Sequence, residues 1–353
     1  MKWSDLLGHT KQRQWFENAL QAHRLANTFL FVGPDGIGKR TMARLLAKSI
    51  LCPHRKPFQL EPCYACESCA QVDASTHPDL LEVSKPSEKS VLPIDLFVGS
   101  PDARGREGLI HDLGHKSFHG VGKVAIIDDA DYFNEESANA LLKTLEEPPL
   151  GSRIFLIGTS LQRQLPTIRS RSQIVRFQSL GAPDLRTLID RHAQELASPE
   201  LKESLLGIAE GSYATFCSLA DPKLMEFRAQ FYTQLGQRPM DWVGIVKAVV
   251  GAVESVGKDG QDRRARLKMI FRFANDFFRA QWNAVLGDGA KEHSDRALLS
   301  IVEQTRAVQS NSLQKPTRSI LRTLDASYEV DRNIAPASIV EAWAADIAAL
   351  QEA

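Results

Sequence analysis

Thr28-Phe29-Leu30-Phe31-Val32-Gly33-Pro34-Asp35-Gly36-Ile37-Gly38-Lys39-Arg40-Thr41 is the stretch that decides the fold. A short apolar run, residues 28–32, stops at Gly33, and residues 41–51 then carry Met42, Leu45, Leu46 and Ile50 at helical spacing. A glycine-rich turn between a buried strand and a helix aims backbone N–H groups and a helix N-terminus at one point. Lys39 adds a positive charge there. The segment therefore reads as a phosphate-binding loop, with Gly33, Gly36, Gly38, Lys39, Arg40 and Thr41 as its candidate nucleotide-facing residues. The full pattern puts Ser or Thr directly after the lysine so that a hydroxyl can hold Mg²⁺, and here that position is Arg40. Thr41 is no simple substitute, because one further step along a helix turns the side chain by about 100°. The plainer alternative is a tight strand-to-helix turn that has lost its chemistry.

Two further apolar runs extend the pattern. Val124 to Ile127 ends in Asp128-Asp129, and Ile154 to Ile157 ends in Gly158-Thr159-Ser160. Short apolar runs alternating with helical patterns predict a parallel sheet covered on both faces, an α/β nucleotide fold. Asp128 is the natural Mg²⁺-proximal carboxylate. Asp129 stands where active ATPases of this kind carry a glutamate that polarises the attacking water. It is one methylene shorter, and a misplacement near 1 Å can cost about 100-fold in rate. An acidic strand end that caps the next helix is the alternative. Past Phe177 the strand signal fades. Residues 183–220 give two or three helical stretches, and from Pro222 the pattern is helical throughout, with turns at 257–260 and 287–289. The helix near 265–286 carries Leu267, Ile270, Phe271, Phe273, Phe277 and Phe278 too densely for one narrow stripe, which predicts a largely buried packing helix. The expected division is an α/β core over 1–178, a small helical lid over 179–221 and a helical domain over 222–353.

The chain has 353 residues, with 43 Lys+Arg against 43 Asp+Glu. Balanced charge argues against a binder driven by basic tails, while leaving room for a local basic face. No apolar run approaches the ~20 residues that span a bilayer, and the N-terminus lacks the apolar stretch of a signal peptide, so the expected location is the cytoplasm. Cys52, Cys63, Cys66 and Cys69 cluster as C-x10-C-x2-C-x2-C. In a reducing compartment that spacing suggests a structural Zn²⁺ held by four thiolates, in a module over about 52–69. His54 or His77 in place of one cysteine, a disulfide, and free thiols remain alternatives. Cys217 stands alone in a helical segment and is expected to be a small core residue.

Asn139-Ala140-Leu141-Leu142-Lys143-Thr144-Leu145-Glu146-Glu147-Pro148-Pro149 is a helix stopped by two prolines. This run resembles a signature of the clamp-loader branch of the AAA+ ATPases. So does Leu165-Pro166-Thr167-Ile168-Arg169-Ser170-Arg171-Ser172, which is similar to that branch's Ser-Arg-Cys motif with Ser172 in place of the cysteine. The four-cysteine insert narrows the resemblance to the bacterial DNA polymerase III loader subunits. It is strong over about 1–220, and beyond that rests on helical character and Asn333-Ile334-Ala335-Pro336.

The resemblance implies a clamp-loader subunit that acts in DNA replication at the replisome. Its fold would be an AAA+ core with an inserted zinc module, a helical lid, and a C-terminal helical collar that oligomerises. The implied partners are gamma/tau motor subunits and a delta subunit in a hetero-pentamer, the sliding clamp, and primer–template DNA, with no membrane. Arg171 would be an arginine finger completing a neighbouring subunit's ATP site; internal salt bridges of Arg169 and Arg171 are the alternative. Thr159 or Ser160 would occupy the sensor position. Where motor subunits carry Gly-Ser-x-Gly-Arg, this chain has Gly211-Ser212-Tyr213-Ala214-Thr215. Arg40, Asp129 and Thr215 together imply a subunit whose own ATPase is degraded or absent, binding Mg·ATP weakly or serving a neighbour's site within the polymerase holoenzyme. Lys143 and the N-terminus of its helix are candidate DNA-facing groups. The rival readings are an active motor using Lys39, Asp128 and Asp129, a P-loop small-molecule kinase, and a zinc-binding regulator of another replication ATPase. Residues 95–108 look like an inserted loop without an assigned role.

Overall fold

A computed structural model of the chain describes residues 1–118, 120, 122–196, 198–257, 260–287, 295–306, 313–332 and 334–352. Five parallel strands form its sheet: β1 (Thr28–Val32), β2 (Leu80–Val83), β3 (Val124–Ile127), β4 (Arg153–Gly158) and β5 (Gln173–Arg176), in the order β2-β3-β4-β1-β5. β1 lies inside the sheet, paired with β4 (Phe29 opposite Phe155) and with β5 (Phe31 opposite Val175), so all five of its residues are buried. The alternation of its side chains builds two cores. Phe29 and Phe31 join Phe16, Leu45, Leu46 and Phe155 on one face, while Leu30 and Val32 join Ala125, Ile127 and Leu141 on the other. Phe29 and Phe155 stack with ring centroids 5.3 Å apart.

The helices of this part are α1 (Thr10–Gln21), α2 (Lys39–Leu51), α3 (Glu67–Asp73), α4 (Asp95–Val98), α5 (Leu109–Gly114), α6 (Glu135–Glu146), α7 (Pro166–Arg169) and α8 (Ala182–His192, of which residues 182–188 lie here). α2 starts at Lys39, because Gly38 at φ 104° supplies the left-handed residue that turns the chain into it. The Asn134 side chain caps α6 by accepting from the Ser137 N–H, and Pro148-Pro149 end it.

Residues Met1–Leu188 with Gly211–Ala214 form one compact unit, and Ile189–Glu210 with Thr215–Ala353 form another. The second is helical in its described residues: α9 (Pro199–Ala209), α10 (Tyr213–Leu219, of which residues 215–219 lie here), α11 (Pro222–Gly236), α12 (Trp242–Glu254), α13 (Gly260–Leu286), α14 (Arg296–Arg306), α15 (Gln314–Glu329) and α16 (Pro336–Glu352). α13 is the buried packing helix: Leu267, Ile270, Phe271, Phe273 and Phe277 are inaccessible to solvent. Trp343 of α16 meets Phe271 edge-on at 5.3 Å and donates its indole N–H to Thr323 Oγ1 at 3.0 Å.

The structure corrects the sequence reading in several places. β2 and β5 lie at the sheet edges, where only part of each strand is covered, so Leu80–Val83 and Gln173–Arg176 carry no continuous apolar run. The third run extends by one residue at each end, to Arg153 and Gly158. Residues 95–108 are no plain loop: they hold α4 and a 3-10 turn at Pro101–Ala103. Cys217 is half-buried instead of a core residue. Residues 258–259, 288–289 and Asn333, which the sequence reading placed in turns and in the C-terminal segment, lie outside the described residues. Among the described residues no helix is long and apolar enough to cross a membrane.

Candidate nucleotide and metal sites

The phosphate loop joins β1 to α2. A Cβ on Gly33 would lie 2.4 Å from the Phe177 carbonyl oxygen, so only glycine lets the end of β1 approach that chain. The Gly36 carbonyl accepts from the Tyr213 N–H at 3.1 Å, which seats the Gly211–Ala214 segment on the loop. His9 Nε2 lies 2.6 Å from the Ile37 carbonyl oxygen. A carbonyl can only accept, so Nε2 carries the proton. Burial pushes the His9 pKa down and keeps the ring neutral beside Lys39.

Lys39 is 5% exposed. Its ammonium donates to the Gly33 and Pro34 carbonyls at 2.7 and 2.6 Å, with Asp35 at 3.8 Å. Burial lowers its pKa, opposed by the charges of Asp35, Asp128 and Asp131. Arg40 reaches across to β2 and β3: its guanidinium lies 3.6 Å from Asp128 Oδ2 and 3.5 Å from Glu82 Oε1, and Arg44 pairs with the other Glu82 oxygen at 3.6 Å. Burial raises the Asp128 pKa, and the cations Arg40 and Lys39 pull it back. The carboxylate that would face a metal is thus already matched by an internal cation.

Asp129 sits at φ 58°, and its carboxylate accepts the Lys85 N–H at 3.1 Å, toward the segment after β2. Burial raises its pKa as well. The Thr159 N–H donates to Asp131 at 2.7 Å, and the Gln164 amide bonds the other oxygen of the same carboxylate. Ser160 Oγ accepts from the Arg163 N–H, and Thr41 is half-buried on α2. Glu82, Asp131 and His9 are the residues that sequence reasoning missed. Glu82 had a signal, a lone charge inside Leu80-Leu81-Glu82-Val83. Asp131 and His9 had none beyond their residue type.

The four cysteines converge. Their sulfurs all lie within 4.8 Å of one another, with Cys52–Cys66 at 3.9 Å and Cys63–Cys69 at 4.0 Å. A tetrahedral Zn²⁺ with Zn–S bonds near 2.3 Å separates its ligands by about 3.8 Å, so the set fits a four-thiolate metal site. None of the five cysteines is in a disulfide. The Ala65 N–H and the neighbouring thiols pull Cys63 down to about 6, while burial pushes Cys66 and Cys69 up. A bound cation would supply the charge that keeps all four deprotonated. His77 is placed elsewhere, its Nε2 on Ser68 Oγ and its Nδ1 accepting from the Asp79 N–H, and His54 is exposed. The module is pinned from the N-terminus. Trp3 donates its indole N–H to the Leu60 carbonyl at 2.8 Å, and the Lys48 ammonium links the Met1 carbonyl at 2.9 Å to Asp73 of α3 at 2.6 Å.

Arg171 follows α7. Its Nε donates to Glu146 at 2.6 Å, and Nη1 reaches the Thr167 carbonyl and Ser170 Oγ. Glu146 is the last residue of α6, where a negative charge opposes the helix dipole and a partner cation offsets it. Arg169 is exposed, and so is Lys143 in the last turn of α6. Within the second unit, Thr215 Oγ1 accepts from Arg272 at 3.3 Å.

Residues 8–181 match a family model described as DNA polymerase III, delta subunit. The delta' subunit of Bacillus subtilis is 32% identical over 188 residues, covering 53% of this chain and 52% of that protein. The delta' subunit of Pseudomonas aeruginosa is 31% identical over 207 residues, covering 58% and 59%. Over residues 8–181 the chain is thus a match to the DNA polymerase III clamp-loader subunits. The tau subunit of Salmonella typhimurium is 30% identical over 258 residues, covering 70% of the chain and 38% of tau. The chain thus spans about two-fifths to three-fifths of the length of these clamp-loader relatives. Subunits named delta' and tau match at the same level of identity, so the choice between them falls to the site.

Proposed function

We propose that this chain is a delta-prime-like, non-motor subunit of the DNA polymerase III clamp loader, acting in replication in the cytoplasm. Zn²⁺ is the metal of its four-cysteine module. The observation that carries the reading is the Arg40–Asp128–Glu82 cluster beside Lys39. A guanidinium stands where the motif's metal-binding hydroxyl belongs, and it neutralises the carboxylate that would approach Mg²⁺. Lys39 is meanwhile turned onto its own loop's carbonyls. Asp129, shortened and facing Lys85, and Thr215 in place of the sensor arginine add to the same reading.

Arg171 supplies what a neighbour needs. A guanidinium stabilises charge developing on a transferred phosphoryl group. Its pairing with Glu146, a half-exposed carboxylate, is weak enough in water to exchange for a phosphate. In this reading the chain joins gamma/tau and delta subunits in a pentameric ring, with its first ~178 residues as the AAA+ core, residues 179–221 as a lid and 222–353 as collar. The ring opens the sliding clamp on primer–template DNA, and Lys143 faces the DNA backbone.

The test is clamp- and DNA-stimulated ATP turnover by a loader reconstituted with the other subunits from the same source. Arg171→Ala in this chain is expected to slow turnover at least about tenfold, the sites of the ring acting in concert, while Lys39→Ala changes it less than about twofold. Glu146→Gln, which frees Arg171, leaves turnover at the wild-type level. Strong loss from Lys39→Ala would show instead that the chain hydrolyses ATP itself.

A further inference from the structure

A second pocket lies at the opposite end of the sheet from the phosphate loop. Its volume is about 320 Å³, and its walls include Leu20, Leu25, Ile50 and Leu60 with two cations, Arg55 and Arg153. Arg153 opens β4 and Leu25 precedes β1, whereas the phosphate loop follows the far end of β1. Five residues of strand, roughly 15 Å, separate the two places.

The two arginines are unusual in their company. Among the described residues the Arg55 side chain bonds the Gln59 carbonyl, and the Arg153 side chain the Ser152 carbonyl. Neither has a carboxylate partner among the described residues; the charge set against Arg55 is the Cys52 thiol, and Arg153 has none. Arg153 Nε is buried with no acceptor among the described residues. Burial alone lowers the Arg153 pKa, with no anion nearby to oppose it. A buried guanidinium nitrogen without an acceptor is costly and calls for an explanation. The rim adds apolar surface that the fold does not use. Leu150, next to the lining residue Gly151, is fully exposed.

We propose that this pocket is a docking site for a short segment of another protein in which a carboxylate lies beside an apolar side chain. Arg55 and Arg153 take the carboxylate, and the leucine and isoleucine walls take the apolar group. A guanidinium fork matches a carboxylate. The aliphatic walls favour a peptide over a nucleic-acid backbone, which calls for an open basic groove and backbone donors. The pocket also gives the cysteine module a purpose beyond rigidity. Cys52 and Arg55 both line the pocket, so a metal held by the four cysteines would fix the segment that carries Arg55.

The test measures fluorescence anisotropy of labelled peptides of about eight residues on the zinc-loaded full chain. The panel pairs Leu, Ile, Phe or Met with Asp or Glu in both orders and at the free C-terminus, each beside its Asn, Gln or amidated counterpart. At least one acidic peptide is expected to bind about tenfold tighter than its neutral counterpart, and Arg55→Met and Arg153→Met each to weaken it about tenfold. Arg153→Met is also expected to raise the melting temperature of the ligand-free chain, by about 2 °C, since it removes an unanswered buried donor. The proposal is overturned if no acidic peptide binds below about 1 mM, or if acid and amide bind alike. It is equally overturned if inorganic phosphate or a single-stranded oligonucleotide displaces the peptide more strongly than unlabelled peptide does. A fall in melting temperature with lost helicity in Arg153→Met would make Arg153 a structural residue and overturn it too.

Discussion

Two cradles sit in the same α/β unit, and they differ in how their charges are answered. At the cysteine module four sulfurs converge within 4.8 Å, and the chain sets a single guanidinium, Arg55, against one of them, Cys52, among the described residues. At the phosphate loop the chain brings its own cations, Lys39 onto two carbonyls and Arg40 onto Asp128 and Glu82. The first arrangement is repulsive once the thiols ionise and is stabilised by an added metal. The second is neutral as it stands, and a metal or a nucleotide must displace an existing partner to enter. Residue type alone does not separate them, since both carry the motif of a ligand site. The difference lies in whether the opposing charge comes from outside the chain or from within it.

The contrast is broken most forcefully at the cysteines. Chelation of the metal, or Cys69→Ser, is expected to lower the melting temperature of the first unit by about 10 °C or more, because metal binding to such a site is folding free energy. Elemental analysis would find one zinc per chain in the wild type and none in the variant. An unchanged melting curve would put the two cradles on the same footing. Arg40→Ser sharpens the comparison from the other side. It frees Asp128 and restores a hydroxyl beside Lys39, and calorimetry is expected to show about tenfold tighter Mg²⁺-dependent nucleotide binding than in the wild type.

The smallest effect concerns His9, which holds the Ile37 carbonyl. Its folded pKa is depressed by burial below the ordinary 6.5. The stability that its neutral form supports is therefore complete above pH 6.5 and is lost as pH falls through the depressed value. Between pH 7.5 and 5.5 the wild type should lose about 2 °C more in melting temperature than His9→Gln, which keeps a donor but does not titrate. Equal losses would remove His9 from the account.

The parts legible in the sequence were those with a single strong constraint. A strand inside a parallel sheet must be apolar throughout, so β1 and β3 showed their full extents, 28–32 and 124–127. The spacing of four cysteines was equally readable, because metal geometry leaves few ways to bring thiolates together. β2 and β5 were missed because an edge strand is constrained on fewer sides. Within the phosphate loop the sequence showed that Arg40 displaces a hydroxyl, and no more. Its partner Glu82 lies 42 residues away on an edge strand, and such a meeting is set by strand order. Arg153 illustrates the same limit. It opens an otherwise ordinary strand, and its unanswered charge is visible only once its neighbours are in place.

The measurement closest to the central claim is a calorimetric titration of Mg·ATP into the zinc-loaded wild-type chain, with Lys39→Ala as control. A self-neutralised phosphate loop predicts a dissociation constant weaker than about 1 mM, indifferent to Mg²⁺ and to the substitution. Micromolar binding that needs Mg²⁺ and disappears in Lys39→Ala would contradict it and return this chain to the motor subunits.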